Sequence, residues 1–135
     1  MHRGRWRMLK FYHCNHSVLD MSRSVKFYKE QFGLTVFKEI NAYNGDLHLV
    51  FLSDGVSDFL LELTWYKNHK NPYNQGDKEF HLAFRTDDYD RLLTKHKNAG
   101  ILKHEEPELR LYFVEDPDGY QIEVVEKLEK ESGKK

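Results

Sequence analysis

The sequence predicts an α+β fold made of two consecutive β-α-β-β-β modules. Short apolar and β-branched segments alternate with two amphipathic stretches of helical spacing. Landmark residues also recur in order, since His13 lies 20 positions before Gly33 and His81 lies 19 positions before Gly100. A repeat this short implies that each module is half a structure and buries its sheet against its twin. We therefore expect a mostly antiparallel sheet with the helices on its outer face.

The length of the chain is that of one ordinary domain or of two very small modules that share a core. The chain has 135 residues, of which 39% are hydrophobic, enough to bury a core. A net charge of -1 gives no reason to expect nucleic acid or an anionic membrane as a partner. No apolar run approaches the roughly 20 residues of a membrane span. The single cysteine, Cys14, excludes an internal disulfide and fits the cytoplasm. The predicted domain covers 9–127, with modules of about 9–66 and 79–127 and flexible termini at 1–8 and 128–135.

The first module reads as a strand, a helix and three strands. Asp20 is a good N-cap, and Gly33 suits the position just past the helix end. Between them, apolar residues follow at helical spacing: Met21, Val25, Tyr28 and Phe32. The predicted strands are 10–18, 34–40, 46–52 and 59–65.

The second module repeats this order after a polar loop over 66–78. Asp87 or Asp88 caps the helix, and Gly100 ends it. The motif at 116–119, Asp-Pro-Asp-Gly, predicts a turn because proline fixes φ and glycine accepts a positive φ. The predicted strands are 81–85, 101–103, 109–114 and 120–126.

Each module carries a histidine on its first strand and a glutamate on its last. The pairs are His13 with Glu62 and His81 with Glu123. Because strand side chains alternate between faces, the apolar neighbours of each residue can face the helix, and the His or Glu lines a cleft. A carboxylate in a cleft needs a partner, since burying an unpaired charge is costly. One such residue alone is most simply a core or surface residue, but the recurrence favours a shared metal site for acid–base chemistry.

These residues lie in segments that resemble glyoxalase I, the lactoylglutathione lyase of the vicinal oxygen chelate superfamily. The segments are Leu61-Glu62-Leu63-Thr64, Phe80-His81 and, above all, the run FVEDPDGYQIE over 113–123. The resemblance covers about residues 9–127. The Asp-Pro-Asp-Gly turn is common to the superfamily, so it indicates the fold more than the reaction. The resemblance implies the glyoxalase fold and, position by position, four metal ligands: His13, Glu62, His81 and Glu123.

The resemblance also implies a homodimer with two sites at its interface, each built from the His13–Glu62 pair of one chain and the His81–Glu123 pair of the other. Each site would hold one divalent ion, Ni²⁺ or Zn²⁺, with Co²⁺ or Mn²⁺ also compatible with mixed nitrogen and oxygen ligands. The implied reaction is isomerisation of a thiol–2-oxoaldehyde hemithioacetal, such as a methylglyoxal adduct, to a 2-hydroxyacyl thioester. Glu123 is the first candidate for the catalytic base and Glu62 the second.

The match is incomplete where the family binds glutathione. Positions that usually carry Arg, Asn and Arg hold Ser17, Tyr66 and Asp77 here. Arg85 lies four residues after His81 on the same strand face, at the counterpart of Ser17 in the other module. We expect it to bind a substrate carboxylate, although a strand-end ion pair with Asp87 or Asp88 is the simpler alternative. The predicted substrate contacts are Arg85, Ser17 and Thr64.

Two other functions stay open. The chain could be a superfamily enzyme acting on another thiol adduct or on a CoA ester, or a metal-free protein that binds a small molecule. The four intact ligands argue against the metal-free protein. Cys14 is expected to be a buried, inert thiol, and His16 has the wrong strand parity for the metal. Three histidines are expected at the surface: His69, His96 and His104.

Overall fold

The structure, a computed structural model, describes residues 9–128. The predicted flexible termini, 1–8 and 128–135, lie outside the described residues except for Leu128. The chain divides between Tyr73 and Asn74 into two compact units. Each unit consists of a four-stranded sheet with one α-helix, so the two predicted modules are confirmed. That both units form one domain around a cleft stays a prediction.

The first unit has strand order β1-β4-β3-β2. β1 pairs with β4 in parallel, and the other two pairings are antiparallel. A 3-10 turn, Tyr43–Gly45, joins β2 to β3. The elements are β1 (His13–Ser17), α1 (Met21–Phe32), β2 (Thr35–Ala42), β3 (Leu47–Ser53) and β4 (Leu60–Tyr66).

The second unit repeats this plan with strand order β5-β8-β7-β6. Again the first and last strands pair in parallel, and the other pairings are antiparallel. The elements are β5 (Leu82–Thr86), α2 (Tyr89–Asn98), β6 (Leu102–Glu106), β7 (Leu111–Glu115) and β8 (Gln121–Glu126). Both units even share an irregularity in the pairing of their second and third strands, between Val36 and Lys38 in one and between Leu102 and His104 in the other.

Local capping residues explain the bounds of α1. The Asp20 carboxylate accepts a hydrogen bond from the backbone N–H of Arg23 at 3.1 Å. Gly33 has φ of 68° and donates its backbone N–H to the carbonyl of Lys29 at 3.0 Å. Both ends therefore fall where the sequence predicts them.

Helix α2 begins after Asp88 as predicted, but this residue makes no side-chain bond to the helix backbone. Its carboxylate pairs with Arg91 instead. The backbone N–H of Asp88 donates to the Thr86 hydroxyl at 2.9 Å. The helix ends at Asn98, two residues before Gly100, which has φ of 75°.

Each unit has its own core, which includes one buried histidine. In the first unit, His16 Nδ1 lies 3.0 Å from the hydroxyl of Tyr28, and in the second, His96 Nδ1 lies 2.7 Å from that of Tyr112. The predicted surface position of His96 is wrong. Its ring is fully buried on the inner side of α2, where the Tyr112 hydroxyl is its hydrogen-bond partner. Burial raises the pKa of Tyr112, which keeps its hydroxyl protonated. His69 and His104 are exposed as predicted.

None of the described helices is long and apolar enough to cross a bilayer.

Candidate metal centre

In the first unit, His13 and Glu62 lie side by side on one face of the sheet. His13 Nε2 is 3.1 Å from Glu62 Oε1. The parallel register of β1 and β4 places Asn15 opposite Glu62, so His13 lies two residues before the position that pairs with the glutamate. His16 points to the other face, where it is buried against α1. The predicted strand parity is therefore right for these residues.

The second unit repeats the pair with the same geometry. His81 Nε2 is 3.1 Å from Glu123 Oε1, and Ala83 lies opposite Glu123 in the register of β5 and β8. The two glutamates are similarly enclosed, with 14% of the Glu62 side chain and 17% of the Glu123 side chain exposed. A carboxylate so covered needs a cation or hydrogen-bond donors beside it.

An aromatic ring packs against each histidine, and sequence reasoning missed both rings. Phe51 lies opposite Glu62 in the register, with its ring centroid 5.5 Å from that of His13. Phe113 lies opposite Glu123, with its ring centroid 5.0 Å from that of His81. No signal in the sequence alone marks these rings, because the register sets each phenylalanine on the third strand of its unit opposite the glutamate on the fourth. The rings make one side of each pair apolar, which strengthens electrostatic interactions there.

The next residues across the sheet differ between the units. Lys38 Nζ lies 4.7 Å from the ring centroid of Phe51, whereas the ring of His104 lies 6.5 Å from that of Phe113. Both are the register partners of their phenylalanines. The two units therefore share their strand order and their His–Glu pairs. They differ in the residue next to the phenylalanine, which is a lysine in the first unit and a histidine in the second.

The contacts of the two ring nitrogens of His81 are those of a histidine that can bind a cation through Nε2. Its Nδ1 lies 3.0 Å from the backbone carbonyl of Glu79, which only accepts, so Nδ1 carries a proton. Nε2 faces the Glu123 carboxylate, which also only accepts. A neutral ring has one N–H, so with Nδ1–H directed at Glu79 the ring presents the lone pair of Nε2 on the side of Glu123, as a metal ligand does. An imidazole nitrogen beside a carboxylate oxygen fits Ni²⁺, Zn²⁺, Co²⁺ or Mn²⁺.

His13 differs in this respect. Its Nε2 faces Glu62 in the same way, but its Nδ1 is buried without a hydrogen-bond partner. Metal-binding histidines usually donate their second ring N–H to an acceptor, which fixes the orientation of the ring. The ring of His81 is thus held by a backbone carbonyl, and that of His13 is held by aromatic packing.

Each unit brings together two of the four predicted ligands. Across residues 9–128, no three His, Cys, Asp or Glu side chains lie close enough to hold a metal ion together. Two protein ligands are too few for a typical structural or catalytic site of these metals. The shared four-residue site therefore stays a prediction.

The predicted substrate contacts on the first unit belong to a small hydrogen-bonded network. Thr64 donates its hydroxyl to Asn15 Oδ1, and Asn15 Nδ2 donates to the hydroxyl of Ser17 at 3.0 Å. Thr64 is only 5% exposed, and its hydroxyl proton is used in the hydrogen bond to Asn15. Sequence reasoning did not single out Asn15, which lies on the same strand face as His13.

On the second unit, Arg85 is exposed and shares its strand face with Ala83. Asp88, one of its two predicted ion-pair partners, pairs with Arg91. The role of Arg85 in binding substrate stays a prediction. Cys14 is half-buried, and this burial raises the pKa of its thiol, which fits an inert cysteine.

A family model described as the Glyoxalase/Bleomycin resistance protein/Dioxygenase superfamily matches residues 10–124. The chain belongs to this superfamily. Lactoylglutathione lyase from Haemophilus influenzae is 32% identical over 124 residues, which are 86% of this chain and 91% of that protein. A putative lactoylglutathione lyase from Brassica oleracea is 29% identical over 126 residues, and there the chain spans only 44% of the relative.

Solved structures place this superfamily member beside glyoxalase I. The trypanothione-dependent glyoxalase I of Leishmania major has a TM-score of 0.78 and 29% sequence identity, covering 93% of this chain and 90% of that one. The resemblance predicted from residues 9–127 is confirmed. Within the superfamily, the chain is therefore most informatively compared with glyoxalase I.

Proposed function

We propose that this chain is a metal-dependent lyase of the glyoxalase I type. It isomerises the hemithioacetal of a thiol and a 2-oxoaldehyde, such as methylglyoxal, to a 2-hydroxyacyl thioester. The observation that carries the proposal is the duplicated His–Glu pair, with a 3.1 Å contact in each unit. The likeness to the lactoylglutathione lyase of Haemophilus influenzae over most of both chains supports the same reaction.

The proposed site contains one divalent ion, Ni²⁺ or Zn²⁺, with Co²⁺ and Mn²⁺ as substitutes. Two protomers build two such sites at their interface, and in each site the His13–Glu62 pair of one protomer lies beside the His81–Glu123 pair of its partner. When bound, the ion would supply Lewis-acid stabilisation of the negative charge that develops on the substrate. The proposed location of the dimer is the cytoplasm.

Glu123 is the proposed base. It takes the proton from the carbon that bears sulfur and returns it to the neighbouring carbonyl carbon, while the hydroxyl proton moves to the other oxygen. The apolar ring of Phe113, opposite Glu123 in the register, keeps water from one side of this carboxylate. Water exclusion strengthens the electrostatic effects on which proton transfer depends. Glu62 is the second candidate because it has the same position in the other unit.

The thiol part of the substrate is proposed to contact two strands, β1 through Ser17 and β5 through Arg85, each on the face that carries the histidine. Arg85 binds a carboxylate of the thiol, since a guanidinium matches a carboxylate with two parallel hydrogen bonds. Ser17 offers a neutral hydroxyl, held by Asn15, which Thr64 holds in turn. This gives one cationic and one neutral end to the proposed thiol site.

The neutral end supports a second candidate, an enzyme of this superfamily that acts on a different thiol adduct or a CoA ester. The positions at which glyoxalase I usually binds glutathione with two arginines and an asparagine carry no positive charge in this chain, since they are Ser17, Tyr66 and Asp77. The similar Leishmania enzyme is described as trypanothione-dependent, so a thiol other than glutathione has a precedent among relatives of this chain. A metal-free binding protein is disfavoured, because such a protein has no need for two enclosed carboxylates beside histidines.

The test is metal analysis of the purified chain, followed by assays with methylglyoxal and separate thiols: glutathione, trypanothione and CoA. We expect bound divalent metal and thioester formation with at least one thiol, both lost after chelation and restored by Ni²⁺ or Zn²⁺. Metal-free protein with no turnover under any of these conditions would contradict the proposal. Turnover with CoA or trypanothione alone would select the second candidate.

A further inference from the structure

The segment before His81 is folded back onto the turn that joins β7 to β8. The backbone N–H of Lys78 donates to the carbonyl of Gln75 at 3.1 Å, and Lys78 has φ of 61°, a left-handed conformation. From this short bend, Gln75 Nε2 donates to the carbonyl of Asp118 at 2.9 Å. Lys78 Nζ lies 3.4 Å from Glu115 Oε2 at the end of β7. Two side chains therefore attach the segment, Gln75 to the turn itself and Lys78 to the end of the strand that leads into it.

The turn is well suited to be a fixed support. Asp116 is 5% exposed, and its Oδ1 accepts hydrogen bonds from the backbone N–H groups of Asp118 and Tyr120, both at 2.9 Å. Gly119 has φ of 88°, and a Cβ there would lie 3.1 Å from Lys78 Nζ. Glycine thus gives the turn its conformation and leaves room for the lysine.

The attached segment ends at the carbonyl that orients His81. Glu79 directly follows Lys78, and its backbone carbonyl lies 3.0 Å from His81 Nδ1. On the far side of the same ring, Nε2 lies 3.1 Å from Glu123. A shift of the Glu79 carbonyl would rotate the ring away from Glu123.

We infer that Lys78, assisted by Gln75, is a positioning residue for the ligand His81. The two side chains hold the Glu79 carbonyl against the end of β7 and the 116–119 turn, and the carbonyl orients His81 so that Nε2 points toward Glu123, where the metal would bind. The Asp-Pro-Asp-Gly motif then has a role in the site beyond connecting two strands. This inference rests on the proposed function, because a metal ligand is what Lys78 positions.

The first unit supplies a matched control. Lys10 also lies three residues before its histidine, and its Nζ lies 2.9 Å from Asp58. Both side chains of that ion pair are more than 70% exposed, at 73% and 77%. Moreover, His13 Nδ1 has no carbonyl partner. Lys10→Met therefore removes the same charge at the same spacing without disturbing a ring orientation.

The experiment compares Lys78→Met, Lys78→Arg and Lys10→Met in the full chain, with calorimetric titration of Co²⁺ and Ni²⁺. Loss of a group that orients a metal ligand typically weakens affinity between about 10- and 100-fold. We expect a loss of at least about 10-fold in Lys78→Met, recovery in Lys78→Arg, and a change of less than about 2-fold in Lys10→Met. The visible spectrum of bound Co²⁺ should change only in Lys78→Met. Unchanged affinity and spectrum in Lys78→Met, or an equal loss in Lys10→Met, would overturn the inference.

A second variant and a metal-free readout keep the inference testable. Gln75→Ala removes only the bond to the Asp118 carbonyl and should weaken Co²⁺ binding in the same direction, so it replaces Lys78→Met if that variant does not fold. In the metal-free protein, nitrogen-15 NMR should detect a slowly exchanging Nδ1–H on His81 that is lost in either variant. Persistence of that proton in both variants would contradict the inference. Absence of metal binding in the parent protein would instead contradict the proposed function.

Discussion

At the scale of single residues, the two candidate histidines differ in what their second ring nitrogen contacts. His81 Nδ1 donates to the carbonyl of Glu79, whereas His13 Nδ1 is buried without a partner. Their other nitrogens face glutamates at the same distance. Glu62 and Glu123 therefore start from equivalent contacts. Substitutions at single residues test the proposed roles.

Replacing Glu123 by glutamine should separate catalysis from metal binding. The amide keeps an oxygen for the metal but cannot accept the carbon-bound proton, so kcat should fall at least about 10²-fold, the usual scale for loss of a general base. The variant should retain part of its metal, measured by mass spectrometry of the elements, and the fall in kcat is compared at full metal loading. Glu108→Gln, in an exposed turn, is the control. Near-full activity of metal-loaded Glu123→Gln would remove this assignment.

Replacing Arg85 by alanine should affect substrate binding. If Arg85 binds a carboxylate of the thiol adduct, KM should rise at least about 10-fold with a smaller change in kcat, since charge-assisted bonds contribute roughly 1.5–3 kcal/mol. Steady-state kinetics with the preferred thiol measures both constants. An unchanged KM would leave Arg85 as a surface residue of β5.

At the scale of helices and strands, the sequence predicted best the features that depend on residues close together in the chain, such as the ends of α1. Asp20 and Gly33 fixed both ends of α1 because capping is local in the chain. The strand bounds were predicted less accurately, with differences of up to three residues, at the start of β1 and at the end of β6. In the second module, a 3-10 turn at Pro107–Leu109 separates the end of β6 at Glu106 from the start of β7 at Leu111. His96 was misplaced because an amphipathic helix does not reveal which polar residue finds a buried partner across the core.

The same difference between features local in the chain and contacts between strands explains which residues around the His–Glu pairs could be predicted. The repeat and strand parity, which are properties of the chain alone, predicted the two His–Glu pairs that the structure brings into contact: His13 with Glu62 and His81 with Glu123. Phe51, Phe113 and Asn15 were missed because their proximity to the pairs depends on the register between strands. Register follows from the hydrogen-bonded partners of each strand, which a single sequence does not display.

The two helix caps give a prediction at this scale. Asp20→Ala should reduce the free energy of unfolding by about 1 kcal/mol, because it removes the bond to the backbone N–H of Arg23. Asp88→Ala should cost only a few tenths of a kcal/mol, because its side chain makes no capping bond and its ion pair with Arg91 is exposed. Urea denaturation measures both. Equal losses in the two variants would contradict this account of the caps.

At the scale of the whole molecule, each unit supplies half of the proposed ligand set. A second copy of the chain is the proposed source of the other half, which makes oligomeric state and activity inseparable. The duplicated backbone supports this arrangement, because two similar halves can pair with those of a two-fold mate. His13 and His81 are the residues with which this can be tested, since each belongs to one half.

Mixing two inactive variants tests the shared site. His13→Ala and His81→Ala should each be inactive alone, since every site in either dimer lacks one ligand. After unfolding together and refolding, mixed dimers should contain one intact site and one that lacks both histidines, restoring about a quarter of parental activity at equal amounts. Co-refolded samples of each variant with itself serve as controls. No recovery, despite mixed dimers detected by mass spectrometry, would contradict a site shared between protomers.

The most direct test of the metal-centre claim is the metal-to-chain ratio of the parent protein and of the variants His13→Ala and His81→Ala, measured after dialysis against Ni²⁺ and then against buffer. The account predicts about one ion per chain in the parent and a large loss in both variants, because the two His–Glu pairs bind the same ion. Two ions per chain in the parent, or a full complement in either variant, would contradict it.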